Sequence, residues 1–345
     1  MRRRFFRYTA VFLSMLITVF SAACSAEDVT PEPPEEKDDK IMIGMSFDSF
    51  VIERWLTDRN VFISTVEEKG AQVNVQSATG DVDTQIEQIH YLIDQDVDVI
   101  VVIPVDCGAL SDVLLEAKEK GIKVISYDRL ALNSNADLYV SFDNEEVGRL
   151  MGQSVKEKLG PEGGNIYMIC GPETDENAVA VDEGFTSAVE GSNINVVYKT
   201  KCENWNASIA YSDVKVALQT YPNVDAIMCG NDDIATQVFM ALSAKGLAGK
   251  VLLTGQDCDL MACQRIVQGT QLVSIYKSFE DEARTAAENA ILLAEGKDLE
   301  CDTTINDGSY DVKYLELKPV AVTRDNIDSV IIDGGLHTKE EIYSR

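Results

Sequence analysis

From Lys40 onward, short aliphatic runs alternate with amphipathic stretches, and the alternation runs through the chain twice. The first unit is Lys40–Arg59. Its run Ile41-Met42-Ile43-Gly44-Met45 reads as a buried strand, Ser46–Ser49 as a short loop, and Val51 onward as a helix. A strand feeding a helix through a short loop is half of a βαβ unit, and a series of such units folds into a parallel sheet with helices on its faces. Strands are expected at Val73–Gln76, Val97–Ile103, Val124–Tyr127 and Leu138–Ser141, with helices at Thr84–Asp94 and Leu110–Lys120 between them. Val97–Ile103 is almost continuously aliphatic, as a strand buried on both faces should be. On the Thr84–Asp94 helix, Ile86, Ile89, His90 and Ile93 are read as the inward face.

The pattern then restarts near Phe142. Strands are expected at Asn165–Cys170, Val196–Thr200, Ala226–Cys229, Val251–Thr254 and Leu272–Tyr276, and a long helix at Glu282–Ala294. The fold class is therefore α/β with two lobes, each a parallel sheet flanked by helices. From Cys301 on the periodicity is weak, and these residues are expected to return across the junction. The expected partition is 40–141 plus about 278–309 for the first lobe and 142–277 plus about 310–345 for the second.

The residues before Lys40 read differently. Arg2, Arg3, Arg4 and Arg7 form a basic start, and Tyr8–Ala23 is uncharged but shorter than the roughly 20 residues that span a bilayer. With small residues Ser21-Ala22-Ala23 before Cys24, this is the pattern of a secretory signal, residues 1–23, resembling the lipobox of a bacterial lipoprotein with Cys24 as the lipidated residue. Residues 24–39, with Pro31, Pro33 and Pro34 among acids, cannot bury a core and read as a flexible tether. The expected location is outside the cell, on the outer face of the bacterial membrane. The formal net charge is −28, and removing the signal takes away arginines and no acids. Such a surface repels phosphate backbones, which argues against nucleic acid as a partner. Apart from Cys24, an odd number of cysteines remains, so complete pairing is excluded; Cys170 and Cys229 end apolar runs as small buried hydrophobes.

In open parallel sheets, ligands bind beyond the carboxyl ends of the strands. The residues there are polar or planar throughout: Arg54 and Trp55, Asp128 and Arg129, Asp175 to Asn177, Trp205 and Asn206, Asn231 and Asp232, Gln256 and Asp257, and Lys277. Carboxylates, amides and guanidinium groups pair with vicinal hydroxyls, and an indole offers a flat apolar face to a sugar ring. The plainer alternatives are that Trp55 is a core residue, Arg54 a surface charge, and Asp175 and Asn231 helix N-caps. Enzyme signatures are missing: His90 and His337 are the two histidines, and no GxSxG elbow, P-loop, GxGxxG fingerprint, HExxH or calcium loop occurs. No metal or cofactor is expected.

From about Lys40 to Lys339 the chain resembles bacterial periplasmic sugar-binding proteins of the ribose/galactose type, and among them the D-xylose-binding proteins of ABC importers. The resemblance rests on Glu53-Arg54-Trp55, Val75-Gln76-Ser77-Ala78, Ser126-Tyr127-Asp128-Arg129 and Ser141-Phe142-Asp143-Asn144-Glu145. It continues in Asn231-Asp232, Ala241-Leu242-Ser243-Ala244, Gly255-Gln256-Asp257 and Tyr276-Lys277. It implies the type I periplasmic binding protein fold, three crossovers between lobes, and a monosaccharide, D-xylose foremost, bound between them without chemistry. Carried over position by position, the ligand residues are Arg54, Trp55, Asp128, Arg129, Asp175, Asn177, Trp205, Asn231 and Asp257, with Lys277 at a crossover. The implied partners are the permease subunits of an ABC importer, with the protein itself a monomer held to the membrane by its lipid. Two other outputs stay open: presenting a sugar to a membrane receptor, and hydrolysis by a cleft carboxylate pair.

Overall fold

The computed structural model describes Lys40–Ser344; the expected signal, Cys24 and tether lie outside these residues. The first lobe begins with β1 (Met42–Phe47), α1 (Trp55–Glu68), β2 (Gln72–Ser77), α2 (Val82–Asp94), β3 (Val99–Val102), α3 (Ser111–Glu119), β4 (Lys123–Tyr127) and β5 (Leu138–Phe142). The second contains α4 (Asn144–Leu159), β6 (Gly164–Cys170), α5 (Glu176–Val189), β7 (Ile194–Lys201), α6 (Ser208–Thr220), β8 (Ala226–Cys229), α7 (Asp232–Ser243), β9 (Leu252–Gln256), α8 (Leu260–Gln268) and β10 (Val273–Tyr276). The chain then makes α9 (Phe279–Ala294), β11 (Thr304–Asn306), β12 (Asp311–Leu317), β13 (Val320–Val322) and α10 (Lys339–Tyr343).

Two sheets result, ordered β11-β12-β5-β4-β3-β1-β2 and β13-β10-β9-β8-β6-β7. Within each, the strands are parallel except at one edge, where β11 pairs antiparallel with β12 and β13 antiparallel with β10. Strand β3, Val-Ile-Val-Val, is buried at every position because helices cover both faces of its sheet. The chain crosses between lobes three times: at Asp143, which caps α4; at Lys277–Ser278, before α9 packs back on α1 and β4; and at Lys318–Pro319.

The third crossing corrects the expected partition. Strand β12 runs parallel to β5, with Tyr314 opposite Tyr139 and Leu317 opposite Phe142, so Asp311–Leu317 stays with the first lobe. Only one face of β12 is buried, through Val312 and Tyr314, which is why its pattern looked weak. The α2 face is also rotated from expectation. Gln85, Ile89, Leu92 and Ile93 turn inward, while His90 is exposed and faces Glu116 of α3 at 3.2 Å.

In the second lobe, α4 and α5 pack backbone to backbone. A Cβ on Gly148 would lie 1.9 Å from the Val181 carbonyl oxygen, and one on Gly184 1.9 Å from that of Glu145. The absent side chains set the spacing of these helices, and so the position of the α5 N-terminus, which opens onto the cleft.

Candidate functional site

All ten residues singled out from the sequence come together. Arg54, Trp55, Asp128, Arg129, Asp175, Asn177, Trp205, Asn231, Asp257 and Lys277 line one cavity between the lobes, with Ile52 and Gln256 beside them. Each reaches it from a strand end or the helix start that follows. Asp128 and Arg129 follow β4, Asp257 follows β9, Lys277 follows β10, and Asp175 and Asn231 begin α5 and α7.

The cap readings of Asp175 and Asn231 hold as well. Asp175 Oδ1 accepts from the Asn177 amide at 3.0 Å, and Asn231 Oδ1 from that of Ile234 at 2.9 Å. Capping occupies one oxygen of Asp175; its Oδ2 accepts from Trp205 Nε1 at 3.0 Å and lies 2.7 Å from Arg129 Nε. That last contact is an ion pair without hydrogen-bond alignment, since Arg129 Nε has no hydrogen-bond partner. The reading of Arg54 as a surface charge is wrong: it is 4 % exposed.

Arg54 is the hub of the first lobe's wall. Its guanidinium donates to Asp58 at 2.8 Å, Glu282 at 2.6 Å and Asp128 at 3.1 Å, and Tyr127 donates to Asp58 at 2.5 Å. Burial pushes the Asp58 and Glu282 carboxyls above the usual range, with Arg54 pulling against it. Asp128 goes the other way. Burial raises it, but Lys277, Arg54 and Arg129 outweigh burial and hold it below the ordinary value, so it is an ionised acceptor. The second guanidinium, Arg129, donates to Asp48 Oδ2 and the Pro104 carbonyl, both at 2.9 Å. These bonds fix both forks before any ligand arrives. Arg54 also lies over the Trp55 ring, 4.6 Å from its centre.

The backbone is strained at this wall. Asp128, Trp205 and Asp257 have φ of 59°, 55° and 92°, where side chains larger than glycine are uncommon. Asp128 is held there from several sides. Its amide donates to the Val140 carbonyl at 2.8 Å, and its own carbonyl accepts from Ser141 at 2.6 Å, Tyr139 at 3.0 Å and Asn177 at 2.9 Å. Trp205 lies against bare backbone: a Cβ on Gly171 would sit 2.5 Å from its Cη2. Among the described residues lining the cavity, Trp55 Nε1, Arg129 Nε, Gln256 Oε1 and Asp257 Oδ1 are buried polar atoms without a hydrogen-bond partner in the protein. Buried polar groups are costly unless paired, so they mark where a polar ligand is complementary.

The model of the periplasmic binding protein domain matches residues 43–298. The chain belongs to the periplasmic binding protein family. It is 40% identical over 332 residues to the D-xylose-binding periplasmic protein of Haemophilus influenzae, covering 95% of this chain and 96% of that one. The D-xylose-binding periplasmic protein of Escherichia coli is 39% identical, covering 88% and 93%. Among solved structures, an ABC transporter solute-binding protein of Clostridium phytofermentans with bound β-D-glucose superposes with a TM-score of 0.80 at 28% identity, covering 87% of this chain and 99% of that one. The fold is thus the two-lobed type I periplasmic binding protein fold, and the chain is a binding protein, not an enzyme.

Sequence reasoning did not assign the second layer of this binding protein's cleft. Asp58 and Glu282 hold the Arg54 guanidinium from inside helices, and Tyr127, within β4, bonds Asp58; Asp48, which holds Arg129, directly follows β1 and so was open to the strand-end argument. Gln256 is the last residue of β9 and was visible as a strand-end amide; Ile52 carried no signal, being one apolar residue in a short turn.

Proposed function

We propose that this protein is the sugar-binding component of an ABC importer, taking D-xylose between its lobes and delivering it to the permease subunits. One observation carries the reading: polar and aromatic side chains from the strand ends of both lobes converge on one cleft, several with unpaired buried atoms. The 39–40% identity to D-xylose-binding relatives over nearly the whole chain supports the same sugar.

In this reading Asp128 and Asp257 accept from ring hydroxyls, Asn177 and Asn231 accept from or donate to them, Arg54, Arg129 and Lys277 donate to them, and Trp55 and Trp205 meet the C–H faces. No bond is made or broken. Sugar in the cleft contacts both lobes at once and so favours the closed arrangement, which the permease distinguishes from the open one. Cys24 is the proposed lipid attachment that keeps this monomeric protein at the outer face of the membrane. A thermal-shift screen against pentoses and hexoses tests the proposal. D-xylose should raise the melting temperature most; a flat response to every aldose would contradict it.

A further inference from the structure

Among the described residues lining the cavity, Ile52 is the one aliphatic side chain. It is 8 % exposed and belongs to the buried cluster that includes Phe47 and Trp55. Its position is fixed by the turn that starts α1, where the Trp55 amide donates to the Ile52 carbonyl at 3.3 Å. The turn that presents Arg54 and Trp55 therefore also presents an apolar wall.

A pentopyranose has one position on its rim that matches such a wall. Carbons 1 to 4 each carry a hydroxyl and the ring oxygen is an acceptor, while C5 is a bare methylene. A hexopyranose carries a hydroxymethyl group there. Set against Ile52, that hydroxyl would leave water without a partner, and the extra carbon would need space beside a side chain that already belongs to a buried apolar cluster.

We propose that Ile52 sets the size limit of this site: it packs against the C5 methylene of a pentopyranose and excludes hexopyranoses. The inference rests on the sugar-binding reading above and names the residue that sets its selectivity. The other lining residues offer polar atoms or an aromatic face, which suits the hydroxyl-bearing rim and the two ring faces.

D-xylose and D-glucose differ only in the hydroxymethyl group, so they isolate the effect. Both are titrated calorimetrically into the wild-type protein and into Ile52→Val, Ile52→Ala and Ile52→Ser, each variant checked by a melting curve. The wild type should prefer D-xylose by about 100-fold or more. Ile52→Ser and Ile52→Ala should lower that preference about 10- to 100-fold, with D-glucose gaining. Ile52→Val, which removes one methyl group and is the least disruptive to the turn, should lower it severalfold. Equal affinity of the wild type for both sugars would overturn the proposal, as would an unchanged ratio in the variants that fold. Absence of binding by either sugar to the wild type would instead overturn the sugar-binding reading on which it rests.

Discussion

Asn177 Nδ2, from the second lobe, donates at 2.9 Å to the Asp128 carbonyl oxygen and at 3.1 Å to Asp128 Oδ1 in the first. The lobes are thus joined directly at a residue whose backbone amide and carbonyl are both hydrogen-bonded. The Cys107 amide adds a second bridge, donating to the Thr174 carbonyl at 3.0 Å. Specific bonds across the cleft hold the two lobes together, with Arg129 and Asp175 as a charged pair among them.

Asn177→Ala should therefore weaken D-xylose binding by about one to two orders of magnitude, because it removes a bond to an ionised acceptor that joins the two lobes across the cleft. The lobe itself should keep its stability, since Ser141 and Tyr139 still donate to the Asp128 carbonyl. Calorimetry and a melting curve on the same variant check both halves. A large loss of stability with unchanged affinity would contradict the assignment.

Asp257→Asn should lower affinity about tenfold or more while the fold survives. The side chain lines the cavity, its Oδ1 has no hydrogen-bond partner, and its nearest cation is Lys277 Nζ at 3.9 Å. A hydrogen bond to an ionised acceptor contributes roughly 1.5–3 kcal/mol. Asp257 is not the cap of α8, whose N-cap is Asp259, so a pure stability effect is not expected. Titration of the variant with D-xylose at neutral pH is the check.

The cavity wall was legible in the sequence because the fold puts ligands beyond strand ends, and strand ends can be read from aliphatic runs. The charges behind that wall were not. Glu282 reaches Arg54 from a position 228 residues away, on a helix that first has to cross between lobes. The same limit hid the pairing of β12 with β5: a half-buried strand shows its pattern but not its partner. His90 was misplaced because Ile86, Ile89 and Ile93 fit a face that includes it, whereas burial of Leu92 and Gln85 rotates the face away. The apolar runs mark α2 as a helix, but its contacts with the sheet, Gln85 with Ser46 and the Ile103 carbonyl and Leu92 against Gly44, decide which side faces in.

Asp232 should make stability depend on pH in an unusual direction. It is fully buried at the start of α7 and accepts from Gln271 at 2.8 Å and Ser274 at 2.5 Å; burial pushes its carboxyl up to about 7 although Arg265 opposes this. A carboxyl that holds its proton more tightly folded than unfolded stabilises the protein fully below the ordinary value of 3.8, and that contribution is lost as pH rises through about 7. Asp232→Asn removes the titration. The melting temperature of the variant relative to wild type should therefore rise between about pH 4 and pH 8. A constant difference across that range would contradict the claim.

Gly148→Ala should destabilise the second lobe by about 1–3 kcal/mol or more, because the added Cβ meets main-chain atoms of α5 that cannot rotate away. Chemical denaturation of the unliganded variant measures the loss. Stability equal to wild type would mean that α4 and α5 are not in backbone contact.

D-xylose bound between the lobes and touching both is the ligand proposed for this cleft. Calorimetric titration of D-xylose into the wild-type protein, Asn177→Ala and Asp257→Asn tests it most directly. Saturable binding with one sugar per chain is expected in the wild type, and a clear loss in each variant. No binding by the wild type, or binding that neither variant weakens, would contradict it.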